Sequence, residues 1–212
     1  MRQVVAAGLL LCSLGARVDA QIPGRSLALT LTHSVGSSTS AHPPPCPTSC
    51  VPGDVLEPLS LSTVELELTL PLRARERTGL AYHARLVPFA IMRNNPTDAA
   101  TLGPSGWSIS RSTDRDSTLG LGLKPAGLRG WLGGGRLRVE ADASAGILWF
   151  GTPLLAANAA HLNFVYDVGL GLRLGPAGAA VGYRRHHVSN AGFADVNPGL
   201  NSHVLYFTLP VP

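Results

Sequence analysis

Apolar and polar residues alternate at every second position along much of this chain. The alternation is clearest in three segments, residues 62–72, 136–149 and 161–174. In the third, the apolar side chains from Leu162 to Leu172 share one parity, and Asn163, Asp167 and Arg173 occupy the other. Side chains two residues apart on a strand point to the same face. The pattern therefore predicts strands with one apolar face and one polar face.

Weaker alternation recurs in residues 27–35, 80–91, 119–123, 179–189 and 203–209, which brings the number of predicted strands to eight. The uncharged run 143–166 contains Gly151, Pro153 and Asn158, so it is interpreted as strand, loop and strand rather than a membrane helix. Single charges between large apolar residues are typical of a barrel wall in lipid. The predicted fold is all-β, a single eight-stranded antiparallel up-and-down transmembrane β-barrel.

The polar face carries charges of both signs, which we expect to pair inside the barrel because unpaired buried charges are costly. The expected members are Arg85, Arg138, Arg173, Arg184, Glu65, Glu67, Glu140, Asp142 and Asp167. Long loops are predicted at 36–61 and 93–116, short links at 73–78 and 174–178, and a Gly-rich turn at 124–135. Short turns are periplasmic in such barrels, so both chain ends would lie on the periplasmic side and residues 190–200 on the extracellular side.

The first residues have the layout of a secretory signal peptide. Arg2 precedes an apolar stretch that is too short to span a bilayer, and small residues precede Gln21. We expect residues 1–20 to be removed, with Cys12, and residues 21–212 to form the barrel domain. The net charge of +4 is not gathered in a basic block, so no nucleic-acid partner is predicted.

Two cysteines, Cys46 and Cys50, lie in a Pro-rich segment after the predicted leader. In an oxidising compartment a small loop-closing disulfide is the preferred interpretation. A metal site is the alternative, but only His42 is near as a further ligand. No metal and no cofactor is predicted.

The last predicted hairpin carries the candidate chemistry. His187 and Ser189 share the parity of Val181, so we expect them on the outward face near the outer end of the strand. Asn201 and His203 share the outward parity of the final strand. A nucleophile, a base and an amide would thus converge where membrane lipid arrives. His186 has the opposite parity and is expected to partner an interior acid, whereas His203 is either a bystander or a substitute base.

The residues from His187 to Gly192, followed by Asn197, Pro198 and Gly199, resemble the H-x-S-N-A-G and N-x-G pattern of the PagL-type lipid A 3-O-deacylases. The resemblance implies an outer-membrane esterase whose partner is lipid A of lipopolysaccharide and whose active site faces the outer leaflet. It implies Ser189 as nucleophile and His187 as general base. Asn197 and the Gly192 amide would be oxyanion donors, with Asn190 as an orienting residue. Whether two barrels associate as a homodimer is left open.

One position departs from the family pattern, because Asn201 stands where these enzymes place a Glu. An amide orients imidazole but supplies no charge, so Asp195 is an alternative acid. A weakly active or inactive structural or adhesive barrel is a second hypothesis. A soluble lipocalin-like barrel is a third, and it would need apolar residues inside and polar residues outside.

Overall fold

The computed structural model describes residues 25–42, 55–57, 59–96, 99–104, 106–110, 114–134, 136–175, 178–194 and 196–212. The strands are β1 Ser26–His42, β2 Val55–Glu57, β3 Ser60–Ala74, β4 Thr78–Pro96, β5 Ala99–Gly103, β6 Gly106–Ser110, β7 Arg115–Gly134, β8 Leu137–Phe150, β9 Leu162–Leu174, β10 Ala180–Ser189 and β11 Asn197–Val211. Within these ranges, no helix is long and apolar enough to cross a membrane.

Eight of the strands form one closed antiparallel barrel. Strands β1, β3, β4 and β7 to β11 pair in chain order, and β11 returns to pair with β1 from Leu27↔Val211 to His42↔Asn197. The short β2 adds to the end of β1, and β5 and β6 form a separate hairpin. Closure leaves no unpaired edge in the wall. The predicted eight-stranded barrel is confirmed.

The apolar face of every wall strand points outward. In β9 the outward apolar side chains are 39% to 64% exposed, whereas inward Asn163, Asp167 and Arg173 are at most 9% exposed. An apolar exterior around a polar interior is the arrangement of a barrel in lipid. It is the inverse of what a soluble lipocalin-like barrel would need, so that hypothesis is wrong.

Charged side chains fill the interior toward the short-turn end. Arg85 donates to Glu67 Oε2 at 2.8 Å and to Asp142 Oδ2 at 2.7 Å, and Lys124 Nζ bridges Glu65 and Asp167 at 2.7 Å each. The buried members of this interior charge network are Arg85, Lys124, Arg129, Arg173, Arg184, Glu65, Glu67, Glu140, Asp142 and Asp167. Five basic groups therefore meet five acidic groups. This balance offsets the cost of burying them.

The expected interior network was right in eight of nine members and wrong for Arg138. Arg138 is half-buried, lies over the Trp131 ring at 5.5 Å, and has no ion pair in the described part of the chain. Arg138 is the second residue of β8, and Glu140, the next inward acid on that strand, is instead bound by Arg173, the register partner of Arg138. Lys124 and Arg129 supply the cations that were not predicted.

The Gly-rich turn predicted at 124–135 is also wrong, because β7 continues as a wall strand to Gly134. A bulge between Leu123 and Ala126 accommodates Pro125, which has no N–H to donate. The Pro125 carbonyl accepts a hydrogen bond from the Tyr82 hydroxyl. Gly127 is needed for close approach, since a Cβ there would lie 2.4 Å from His83 Cε1. Pro125 and Gly127 therefore allow β7 to pack closely against β4 and do not end β7.

An apolar cluster fills the barrel interior toward the other end. Its members include Leu61, Met92, Phe150, Val188 and Leu200, each at most 1% exposed. Val188 and Leu200 belong to β10 and β11, and they are the inward neighbours of His187 and Asn201. Tight packing on the inward side therefore holds the two strands that carry the candidate site.

Connections differ in length between the two barrel ends. Residues 75–77, 135–136 and 175–179 make short links at the end where β1 starts and β11 finishes. Longer links, including 151–161 and 190–196, lie at the opposite end, next to Ser189. The predicted alternation of short and long connections is confirmed, although β1 and β4 extend further into the predicted long loops, to His42 and Pro96.

Candidate active site

His187, Ser189 and Asn201 lie together on the outer wall, near the long-loop end. His187 and Ser189 are half-buried outward residues of β10, and Asn201 is the cross-strand partner of His187 on β11. His187 Nδ1 lies 2.9 Å from Asn201 Oδ1. The shared outward face expected from residue parity is therefore present, and the hydrogen bond joins two of the three residues.

This hydrogen bond sets the tautomer of His187. The amide oxygen of Asn201 only accepts, so the proton must sit on Nδ1, which donates. Nε2 of a neutral imidazole then carries a lone pair. His187 therefore presents an acceptor nitrogen, which is the form that a general base requires.

Ser189 is not hydrogen-bonded to His187. Residues two apart on a strand have Cα atoms roughly 6.6 Å apart, which suits contact between a histidine and a serine side chain. Among the described residues the Ser189 hydroxyl has no hydrogen-bond partner. Catalytic hydrogen bonds are often long without substrate and tighten when it binds.

A tight turn follows Ser189. Ala191 and Gly192 have φ values of 53° and 83°, and Phe193 N donates to Asn190 O at 3.1 Å, as in a type I′ turn. Positive φ is strained for alanine, and such strain is concentrated at functional sites. The turn fixes the backbone immediately after the candidate nucleophile.

Asn190 and Asn197 organise the rest of this loop. Asn190 is fully buried, its side chain donates to Val196 O at 2.7 Å, and its Oδ1 accepts from Gly192 N at 3.0 Å. Asn197 Oδ1 accepts from Asn190 N at 2.9 Å, which leaves the Asn197 amide group as a donor. The Gly192 N–H is thus already engaged. The neighbouring Ala191 N–H has no acceptor among the described residues.

Aromatic rings from β9 and the loop line the site, a role that the sequence pattern does not indicate. Tyr166 stacks on His187 with ring centroids 4.9 Å apart and an interplanar angle of 28°. Phe164 is the register partner of Ser189, and the 75% exposed Phe193 packs on it at 5.6 Å. Parity identified Phe164 and Tyr166 as outward-facing. Only the register of β9 against β10 brings them beside the site.

The two other histidines of the last hairpin, His186 and His203, have partners of their own. His186 is buried inside the barrel and hydrogen-bonded to Asp167, as its parity predicted. His203 faces outward, and its Nδ1 lies 2.5 Å from the Tyr183 hydroxyl. Asp195, Cys46 and Cys50 lie outside the described residues, as do residues 1–24. In the described part, no group of three potential metal ligands is close enough to hold an ion.

The chain resembles known proteins in sequence and in fold. A family model described as lipid A 3-O-deacylase (PagL) matches residues 95–210. The solved structure of the outer membrane enzyme PagL shares 17% identity at a TM-score of 0.51, over 86% of this chain and 99% of that one. At this identity the structural likeness shows the fold alone, and no curated protein matches the chain. The family match covers more than half of the sequence and the last five wall strands apart from Val211, so the chain is an outer-membrane barrel that belongs to the lipid A 3-O-deacylase (PagL) family.

Proposed function

We propose that this protein is an esterase that hydrolyses the 3-O-linked acyl chain of lipid A, with Ser189 as nucleophile and His187 as general base. The observation that carries the proposal is the 2.9 Å bond from His187 to Asn201, on the same outward face as Ser189. Asn201 orients the imidazole, and the tautomer it selects aims a lone pair away from the amide. A triad is recognised by such geometry and roles rather than by order in the chain.

The reaction would proceed by acyl transfer through the serine. Ser189 Oγ attacks the ester carbonyl as His187 Nε2 takes its proton, and the resulting imidazolium then protonates the departing sugar oxygen. Water attacks the acyl-enzyme with His187 again as base. The products are a fatty acid, the deacylated lipid and free enzyme.

The imidazolium formed in this cycle has an uncharged partner in Asn201. Tyr166, stacked at 4.9 Å, offers the negative face of its ring to the cation. Cation–π contacts stabilise by about 0.5–2 kcal/mol, depending on desolvation. Tyr166 would therefore supply part of the stabilisation that a carboxylate supplies in a charged triad.

The oxyanion would be met by donors in the turn after Ser189. The free amide group of Asn197 is one donor. The Gly192 N–H would have to exchange its bond with Asn190 Oδ1 for one to the oxyanion, whereas the adjacent Ala191 N–H has no such bond to break. One donor of this kind contributes roughly 10²–10³ in rate.

The site's exposure to lipid supports a membrane substrate. Aromatic side chains surround Ser189 on the outward wall, where an acyl chain would lie. Long loops of outer-membrane barrels are extracellular, so the long-loop end would put the site at the outer leaflet. Removal of residues 1–20 on export and a disulfide between Cys46 and Cys50 belong to the same proposal.

A barrel that keeps the fold for structural or adhesive purposes is the competing function. The observation in its favour is the neutral Asn201, which cannot stabilise imidazolium by charge. The two functions differ in one measurable property, the release of fatty acid.

The test uses the full mature chain, refolded in detergent and mixed with purified lipid A. We expect release of one fatty acid and a lipid product that lacks only its 3-O-linked chain. Ser189→Ala should release none while migrating on unheated gels as a folded barrel. Equal release by both proteins, or none by either, would overturn the proposed mechanism.

A further inference from the structure

Arg185 is a charged residue on the lipid-facing wall. It lies on β10 with the outward parity of His187 and Ser189, and it is exposed. Its register partner on β9 is Val168, which is 57% exposed, and Val181 and Leu205 are 52% exposed on the same side. A guanidinium therefore emerges from a wall that is otherwise mainly apolar.

No described carboxylate pairs with Arg185. The basic groups inside the barrel each contact an acid, whereas Arg185 has no ion pair, hydrogen bond or ring contact among the described residues. An arginine on the lipid face of a barrel is destabilising, most strongly at the bilayer midplane and less toward the interfaces. Ionisable groups in a membrane ordinarily mark functional sites, and a cationic group there is expected to have an anionic partner.

The position of Arg185 would place an anionic partner near the proposed active site. Arg185 is two cross-strand pairs below His187 and Asn201, which is roughly 7 Å along the strand. Long basic side chains extend toward the polar interface, so the guanidinium can reach the level of His187. An anion at that level would belong to a lipid headgroup at the outer leaflet.

His203 is a second polar side chain beside Arg185 on the outer wall. It is the cross-strand partner of Arg185 on β11, and its Nδ1 is engaged by the Tyr183 hydroxyl at 2.5 Å. This leaves Nε2 of His203 available for another partner. A small polar patch thus lies on the apolar wall below the candidate catalytic residues, and it consists of Arg185, His203 and Tyr183.

We propose that Arg185, assisted by His203, binds a phosphate group of the glycolipid substrate and so holds the scissile ester at Ser189. The inference rests on the proposed function. Lipid A is a phosphorylated sugar lipid, and its phosphate monoesters match the planar, bidentate guanidinium. The phosphodiester of an ordinary phospholipid presents related chemistry. The experiment therefore distinguishes the phosphate of lipid A from that of a phospholipid.

The binding experiment uses Ser189→Ala protein, which cannot turn the lipid over. Affinities for lipid A, for lipid A stripped of its phosphates and for phosphatidylglycerol are measured by calorimetry in uncharged detergent. Adding Arg185→Gln should weaken lipid A binding by about tenfold or more, the scale of a lost hydrogen bond to a charged group. Binding of the dephosphorylated lipid should not change. Adding Arg73→Gln, an exposed arginine at the opposite barrel end, is the matched control and should change neither.

Three outcomes would overturn the inference: unchanged lipid A affinity, an equal loss for the dephosphorylated lipid, or an Arg185 dependence confined to phosphatidylglycerol. In the otherwise native enzyme, Arg185→Gln should raise KM on lipid A with little change in kcat, and Arg185→Lys should recover part of the loss. Folding is checked by migration on unheated gels. Absence of hydrolysis by the native protein would overturn the proposed function, yet the calorimetric comparison would still decide whether Arg185 binds phosphate.

Discussion

Replacing Asn201 with an acid tests how the proposed base is oriented. In Asn201→Glu, a carboxylate would take the place of the amide oxygen that now lies 2.9 Å from His187 Nδ1. A neutral hydrogen bond contributes about 0.5–1.5 kcal/mol, and one to a charged group about 1.5–3 kcal/mol. The difference acts when imidazolium forms, so it lowers the barrier by about 1–1.5 kcal/mol, or roughly tenfold in rate.

The assay is kcat/KM for acyl release from lipid A in detergent micelles. We expect Asn201→Glu to preserve or raise kcat/KM, by up to about tenfold. Asn201→Asp keeps the side-chain length and controls for the extra methylene of glutamate. Asn201→Leu removes the acceptor and should lower kcat. If both acidic variants lost all activity while remaining folded barrels, Asn201 would not be the third member of the triad.

Three further predictions concern the residues around the site and inside the barrel. Tyr166→Leu should lower kcat about two- to thirtyfold while Tyr166→Phe stays near the native value, because both Tyr and Phe present a π face to His187. Equal kcat values for the two variants would exclude a role for the ring. Arg85→Met leaves an uncompensated buried acid and should destabilise the barrel by about 3–5 kcal/mol in urea unfolding from lipid vesicles, whereas an unchanged midpoint would contradict the network's importance. Gly127→Val places a Cβ 2.4 Å from His83 Cε1 and 2.6 Å from the His83 carbonyl oxygen, and it should cost about 1–3 kcal/mol in the same assay. An unchanged unfolding midpoint would show that the close approach does not require glycine.

The alternation of apolar and polar residues predicted all eight wall strands, because lipid outside and charge inside impose the same two-residue period on each. It failed at residues 124–134, where Pro125 and Gly127 resemble a turn. There the bulge removes the need for the Pro125 N–H, and His83 on the neighbouring strand requires the glycine. Both causes are contacts between strands, which local composition does not contain.

The candidate site, too, could be predicted from the sequence only in part. Parity alone put His187, Ser189 and Asn201 on one outward face. The pairing of His187 with Asn201 depends on the register of the last hairpin. The stacking of Tyr166 depends in addition on the register of β9. Registers between strands follow from loop geometry and packing, so they could not be predicted from spacing along the chain.

The most direct test of the central claim is mass spectrometry of lipid A from cells that produce the native protein, its Ser189→Ala variant or neither. We predict that the native protein alone yields lipid A lighter by one acyl chain, with fragmentation assigning the loss to the 3-position. Cells with the Ser189→Ala barrel should match cells without the protein. An unchanged lipid A profile in cells with correctly inserted native protein would contradict the account, as would the same loss with Ser189→Ala.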